Sequence, residues 1–130
     1  MKTTKGPLTH REIGSLGEDA VVRYLKWRGY HILDRNYTVK GGEIDIIATR
    51  FSQLVFVEVK TRKASTDTDK YGKAQDAVTE EKRARIRHTA THYIMNYRMY
   101  YLKPRFDVAE VYYTEGKRKR FKIFYRKEAF

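Results

Sequence analysis

A chain of 130 residues with 28 Lys and Arg against 16 Asp and Glu carries a net charge of +12 and a pI near 9.9. That length suits one domain with one core, and that charge favours a polyanionic partner such as nucleic acid. The absence of cysteine excludes disulfides, thiolate nucleophiles and thiolate zinc sites. No apolar run approaches the roughly 18 residues a bilayer span needs, and no apolar signal segment follows the first residues, so the expected location is cytoplasmic.

Residues 1–9 hold Gly6 and Pro7 without an apolar period and read as a flexible leader to a single domain over 10–130. From His10 to Arg28 the residues Ile13, Leu16, Ala20, Tyr24 and Trp27 recur at helical spacing, and Gly29 stands where a helix stops. Glu18 falls at the edge of that stripe, beside Val21, Val22 and Leu25, from where it can reach a neighbouring site. Gly14 and Gly17 each cost about 1 kcal/mol relative to Ala inside a helix. They imply either close approach by a backbone or ligand, or ordinary helix–sheet packing.

Tyr30 to Val39 reads as a strand with an irregularity near Arg35-Asn36, and Lys40-Gly41-Gly42 as the turn into the next. Two apolar runs follow, Gly42-Glu43-Ile44-Asp45-Ile46-Ile47-Ala48 and Leu54-Val55-Phe56-Val57-Glu58-Val59-Lys60, joined by a linker short enough for a hairpin. A symmetric hairpin centred between Phe51 and Ser52 sets Asp45 opposite Glu58 and Glu43 opposite Lys60. Alternation then puts all four on one face, and Ile44, Ile46, Ala48, Val55, Val57 and Val59 on the other. Opposed carboxylates inside apolar strands repel and lose solvation, so a cation belongs between them. A hard ion such as Mg²⁺, held by one or two carboxylates and several waters, meets that need. An ion-pair ladder of Glu43 with Lys60 at a solvated sheet end is the alternative.

After Lys60 the polar run Thr61 to Gly72 has no period and reads as a loop whose Arg62, Lys63 and Lys70 either meet phosphate or are simply solvated. Thr79-Glu80-Glu81 starts a second helix, with Ile86, Ala90, Tyr93, Ile94 and Tyr97 as its buried stripe. Lys82, Arg83, Arg85 and Arg87 make its first half basic and suited to phosphate. His88 and His92, one helical turn apart, are a weak zinc signal that a surface position explains better. Phe106 to Tyr113 and Arg120 to Arg126 read as strands around a turn at Thr114-Glu115-Gly116-Lys117. The last interleaves basic and aromatic residues, as a single-strand binder or a protected edge strand does.

The order helix, three strands, helix, strand, with Glu18 on the first helix, Asp45 on the second strand and Glu58-Val59-Lys60 on the third, resembles the PD-(D/E)XK nuclease superfamily. Gly17-Glu18-x-Ala20, Asn36, Gly42-Glu43-Ile44-Asp45, Phe56-Val57-Glu58-Val59-Lys60-x-Arg62 and Arg105-Phe106-Asp107-Val108 resemble more closely the small bacterial YraN-type family. The resemblance covers roughly residues 10 to 112. It implies an α/β restriction endonuclease-like fold, also seen in Holliday-junction resolvases: a three-layer core whose mixed central sheet is flanked by helices in the order α-β-β-β-α-β, here with an extra C-terminal strand.

The resemblance further implies Asp45 and Glu58 as metal ligands and catalytic groups, Glu18 as an accessory ligand, Lys60 as the catalytic lysine and Mg²⁺ or Mn²⁺ as the cofactor. Glu43 would serve the metal through a water, and Glu43-Ile44-Asp45 stands where the superfamily has Pro-Asp. The expected activity is metal-dependent hydrolysis of DNA, branched DNA included, by a homodimer, because a two-fold junction needs two cuts. The alternative is a nucleic-acid-binding module that keeps the scaffold without turnover.

Overall fold

The computed structural model describes residues 8–64, 78–114 and 120–130. The elements are helix α1 (His10–Trp27), strands β1 (His31–Val39), β2 (Gly42–Arg50) and β3 (Gln53–Lys63), helix α2 (Glu80–Tyr97), and strands β4 (Lys103–Thr114) and β5 (Arg120–Arg126). The strands form one sheet in the order β1-β2-β3-β4-β5, antiparallel except for β3 with β4, which the α2 crossover makes parallel. The order and the mixed sheet are those expected.

Local chemistry sets the element ends. Thr9, which the sequence alone assigns to the leader, is the N-cap of α1. Its hydroxyl accepts the Glu12 N–H at 3.1 Å and the Glu12 carboxylate accepts the Thr9 N–H at 2.8 Å. Thr79 caps α2 through the Lys82 N–H, and that helix ends on left-handed Arg98. Residues 1–7 of the leader, the polar run from Ser65 onward and most of the expected turn after Thr114 lie outside the described residues.

Each helix covers one face of the sheet. Under α1, Val21 and Leu25 meet Ile46, Ala48, Val55, Val57, Ala109 and Val111. Under α2, Ile86, Ala90 and Tyr93 meet Ile44, Ile47, Leu54, Phe56 and Val108. The result is the three-layer arrangement, with both cores fed by the near-continuous apolar runs of the central strands. Among the described residues no helix is long and apolar enough to cross a membrane.

Four expectations are corrected. Ile44 leaves the face of Ile46 and joins the α2 core. Arg35 pairs with Ile46 and Tyr37 with Ile44, so Asn36 lies across from Asp45; its left-handed backbone, φ 53°, is the irregularity expected near Arg35-Asn36, and the ladder shifts register between Ile32 and Asp34. Trp27, placed in the buried stripe of α1, is 87% exposed, and Tyr97, placed in the buried stripe of α2, is 50% exposed. Thr61 to Lys63 are strand, not loop, paired with Val111 to Tyr113. Two aromatics of β5 face the α1 core: Tyr125 stacks on Tyr24 with ring centroids 5.2 Å apart, and Phe121 packs there with Ile123, which favours the edge-strand reading.

Candidate functional site

The register between β2 and β3 is the predicted one from Arg50–Gln53 to Ile46–Val57, and there it stops. The next rung would oppose Asp45 to Glu58 and the following one Ile44 to Val59. Instead, the Asp45 carboxylate accepts the Val59 N–H at 2.8 Å. A side chain has taken a backbone donor, so the strands part, β2 continuing on β1 and β3 on β4. The expected facing of Glu43 and Lys60 is therefore absent, and with it the ion-pair ladder. Thr38 is the cross-strand neighbour of Glu43.

Helix α2 closes over this fork. A Cβ on Gly42 would run into the Thr89 hydroxyl, so the glycine lets the helix come down against the start of β2. The space left between helix and fork is a cavity of about 180 Å³ lined by Gly42, Glu43, Asp45, Glu58, Lys82, Arg85 and Ile86. Asp45 is half-buried, and its pKa is pushed up to about 7, first by burial and then by the Glu58 carboxylate, with Glu18 and Glu43 adding to it and the Val59 N–H opposing. Glu58 is 11% exposed, and its Oε2 lies 2.6 Å from the Lys82 ammonium.

Glu18 approaches from α1. Burial raises its pKa, while a hydrogen bond from Asn36 and the Arg35 guanidinium at 3.6 Å pull it back. It borders a second cavity of about 600 Å³ with Arg11, Glu12, Gly14, Ser15, Asn36 and Glu43. Glu43 is thus the wall common to both cavities. The two helix glycines differ: a Cβ on Gly17 would collide with the Thr61 side chain, so Gly17 serves helix–sheet packing, whereas Gly14 faces open space in the larger cavity.

Lys60 is half-buried on the Glu58 side of β3, next to Glu110 of β4. Glu110 is 2% exposed and held by Arg126 at 3.1 Å. Sequence reasoning missed this acid, although Val108-Ala109-Glu110-Val111 carries the same signal that singled out Asp45, a charge within an apolar strand. Of the six basic candidates, Lys82 and Arg85 line the smaller cavity. Arg83 and Arg87 lie over the Phe130 ring at 5.6 and 5.5 Å, and Arg62 and Lys63 extend β3 beyond the fork. His92 meets the Tyr37 hydroxyl at 3.2 Å, which gives that histidine a structural partner.

The donor set suits a hard divalent ion. Among the described residues no three carboxylate or imidazole groups form a ready-made cage, so the arrangement is a pair, Asp45 and Glu58, with Glu18 and Glu43 further out. Mg²⁺ is commonly held by one or two carboxylates and keeps its waters, so a pair meets its needs.

The family model of an uncharacterised protein family, UPF0102, matches residues 17–111. The chain belongs to that family. UPF0102 includes a protein of Alkaliphilus metalliredigens that is 42% identical over 92% of this chain and 98% of its own length. A relative from Dictyoglomus turgidum is 42% identical over 80% of this chain and 85% of its own. One from Clostridioides difficile is 40% identical over 83% and 91%. UPF0102 is the YraN-type family of the sequence resemblance, and its matched region contains Glu18, Glu43, Asp45, Glu58 and Lys60.

Proposed function

We propose that this UPF0102 protein is a metal-dependent phosphodiesterase acting on DNA. The observation that carries the reading is the fork itself: Asp45 gives up a strand rung to place its carboxylate toward Glu58 in a cavity walled by Lys82 and Arg85. Even with Lys82 against Glu58 and the Val59 N–H on Asp45, two acids brought together cost the fold stability, which supports a role beyond packing. Asp45 and Glu58 would hold Mg²⁺ or Mn²⁺, with Glu43 and Glu18 orienting its waters from the two cavities. When bound, the ion supplies Lewis acidity toward a phosphate oxygen and makes water a stronger nucleophile near neutral pH.

The chain's own residues do the rest. Lys60, two residues beyond Glu58 on the same face, offers ammonium donors to the attacking water and to the charge that grows on the phosphate oxygens. Arg85 and the other cations of α2 hold flanking phosphates. Lys82 holds the Glu58 carboxylate in place until phosphate competes for its charge. A branched, two-fold substrate would call for two copies of the chain.

The Lys82–Glu58 contact at 2.6 Å favours a second reading, a DNA-binding module in which that lysine permanently occupies the cation position. Incubating supercoiled, single-stranded and four-way-junction DNA with Mg²⁺ or Mn²⁺ separates the two. Metal-dependent cleavage lost in Glu58→Ala and in Lys60→Ala is the expected result. Tight binding without cleavage, indifferent to EDTA, would leave the binding module.

A further inference from the structure

The end of the sheet farthest from the fork carries an unassigned surface. Trp27 is 87% exposed, Phe51 88%, Tyr100 66% and Tyr101 75%, and these side chains have no role in either core. They come from three separate segments drawn together by polar contacts. Arg50 Nη1 donates to the Arg28 carbonyl at 2.9 Å, and its guanidinium lies over the Phe51 ring at 5.3 Å. The Lys103 N–H donates to the Ser52 carbonyl at 2.8 Å, which seats the segment after Tyr101 against the hairpin tip.

Phe51 is the most telling of them. It occupies the two-residue β2–β3 turn with φ 56°, a left-handed conformation that Asn or Gly adopts far more cheaply than a bulky side chain. Beyond the Arg50 guanidinium over it, the ring stays in solvent and the fold draws little packing from it in return. A residue that strains its backbone to hold an aromatic ring in solvent is serving something outside the chain.

The charge of this surface selects the partner. Residues 23–30, 48–54 and 95–105 contain no Asp or Glu, while Lys26, Arg28, Arg50, Arg98 and Lys103 all lie within them. Cations near Trp27 and Arg98 also complement the C-terminal ends of α1 and α2, but that leaves the exposed rings unexplained. A second copy docked symmetrically would set these cations against themselves. A membrane-seeking face combines Trp and Phe with Leu, and the large exposed hydrophobics among the described residues include no Leu, Ile or Val. Flat rings interleaved with cations suit unpaired bases and their phosphates.

We infer that the hairpin end is a second nucleic-acid surface that stacks unpaired bases on Phe51, Tyr100, Tyr101 and Trp27. It lies about 20 Å from Asp45, six strand residues at about 3.3 Å each. Binding there requires no metal and no turnover, so it stands or falls separately from the phosphodiesterase reading.

Trp27 is the only tryptophan in the chain, so its fluorescence reports on this surface alone. In EDTA, oligothymidylate should quench Trp27 emission saturably and at lower concentration than a blunt duplex of equal length. Phe51→Asn should raise the melting temperature, because strain is relieved, and yet weaken oligothymidylate binding by about 5-fold or more. Tyr100→Ser with Tyr101→Ser should weaken it similarly without loss of fold. The inference is overturned if oligothymidylate binds by anisotropy while Trp27 emission stays constant, or if Phe51→Asn leaves the affinity within about 2-fold. Quenching by anionic vesicles but not by DNA would assign the surface to membranes, and emission that changes with protein concentration alone would assign it to a second copy.

Discussion

Asp107 of β4 and Asp45 of β2 are carboxylates drawn into the same sheet, and the chain treats them in opposite ways. Asp107 is fully buried and saturated: the Arg105 guanidinium donates through Nε at 3.0 Å and Nη2 at 2.8 Å, the Tyr125 hydroxyl at 2.6 Å and the Glu128 N–H at 2.9 Å. Arg105 also donates to Gln53 through Nη1 and to Tyr30 through Nη2, at 2.6 Å each. Asp45 accepts one hydrogen bond among the described residues and faces another acid. A carboxylate with every lone pair engaged is architecture, while one left short of donors beside a like charge keeps capacity for a ligand. The contrast teaches which of two buried aspartates to examine for chemistry without appeal to any motif.

The sharpest way to break that contrast is Asp107→Ala. It strands the Arg105 charge in the core and should cost about 3–5 kcal/mol in urea unfolding; a loss below about 1 kcal/mol would mean that the network is ornamental. Next in size is the response to a divalent ion. If Asp45 and Glu58 bind Mg²⁺ or Mn²⁺, the ion at 100 times its Kd should stabilise the protein by about 2.7 kcal/mol at pH 8, and Glu58→Ala should abolish the shift. The same titration at pH 5.5 should give a smaller shift, because the proton on Asp45 competes.

The smallest effect has the opposite sign from most substitutions. Asp45→Asn keeps an acceptor for the Val59 N–H and removes the repulsion, so without added metal it should stabilise the protein at pH 8 by about 1 kcal/mol, and under the proposed function it should abolish cleavage. The pH dependence follows. With a folded pKa of about 7 against the ordinary 3.8, folded Asp45 retains a proton that the unfolded chain has released. Its contribution to stability is therefore fully present below about pH 4 and lost as pH rises through about 7. Melting temperatures of the wild type should fall across that window relative to those of Asp45→Asn, and parallel profiles would refute the raised pKa.

The elements were legible because their signals are local. Thr79 with two acids after it, Gly29 after a helical stripe, and Lys40-Gly41-Gly42 between strands each act over a few residues. The β2–β3 register was legible too, since a short turn and period-2 alternation leave one solution. What escaped reading depends on partners distant in sequence. The break at Asp45 turns on the Val59 N–H of the neighbouring strand. Thr61 to Lys63 look like loop until β4 supplies their rungs. The Arg105–Asp107 network draws on Tyr30, Gln53 and Tyr125, and no spacing in one dimension reveals that they meet. The four acids of the site were named from sequence, whereas Glu110 beside Lys60 and the pairing of Lys82 with Glu58 were not.

The parallel seam between β3 and β4 bears on how the molecule comes to exist at all. Every rung there, from Gln53–Lys103 to Lys63–Tyr113, joins residues about 50 positions apart, whereas β1, β2 and β3 close through turns of a few residues. The meander can therefore form early and the seam late, with the rate-limiting search being the return of β4 across α2. Substitutions at Ile46 or Val55 should then slow refolding, and those at Ala109 or Val111 should chiefly hasten unfolding. Stopped-flow chevrons with the same sensitivity in both groups would contradict that sequence of events. On this account the β2–β3 hairpin that carries Asp45 and Glu58 exists in outline before the chain has finished folding, and the later arrival of β4 fixes the course of β3 beyond the fork.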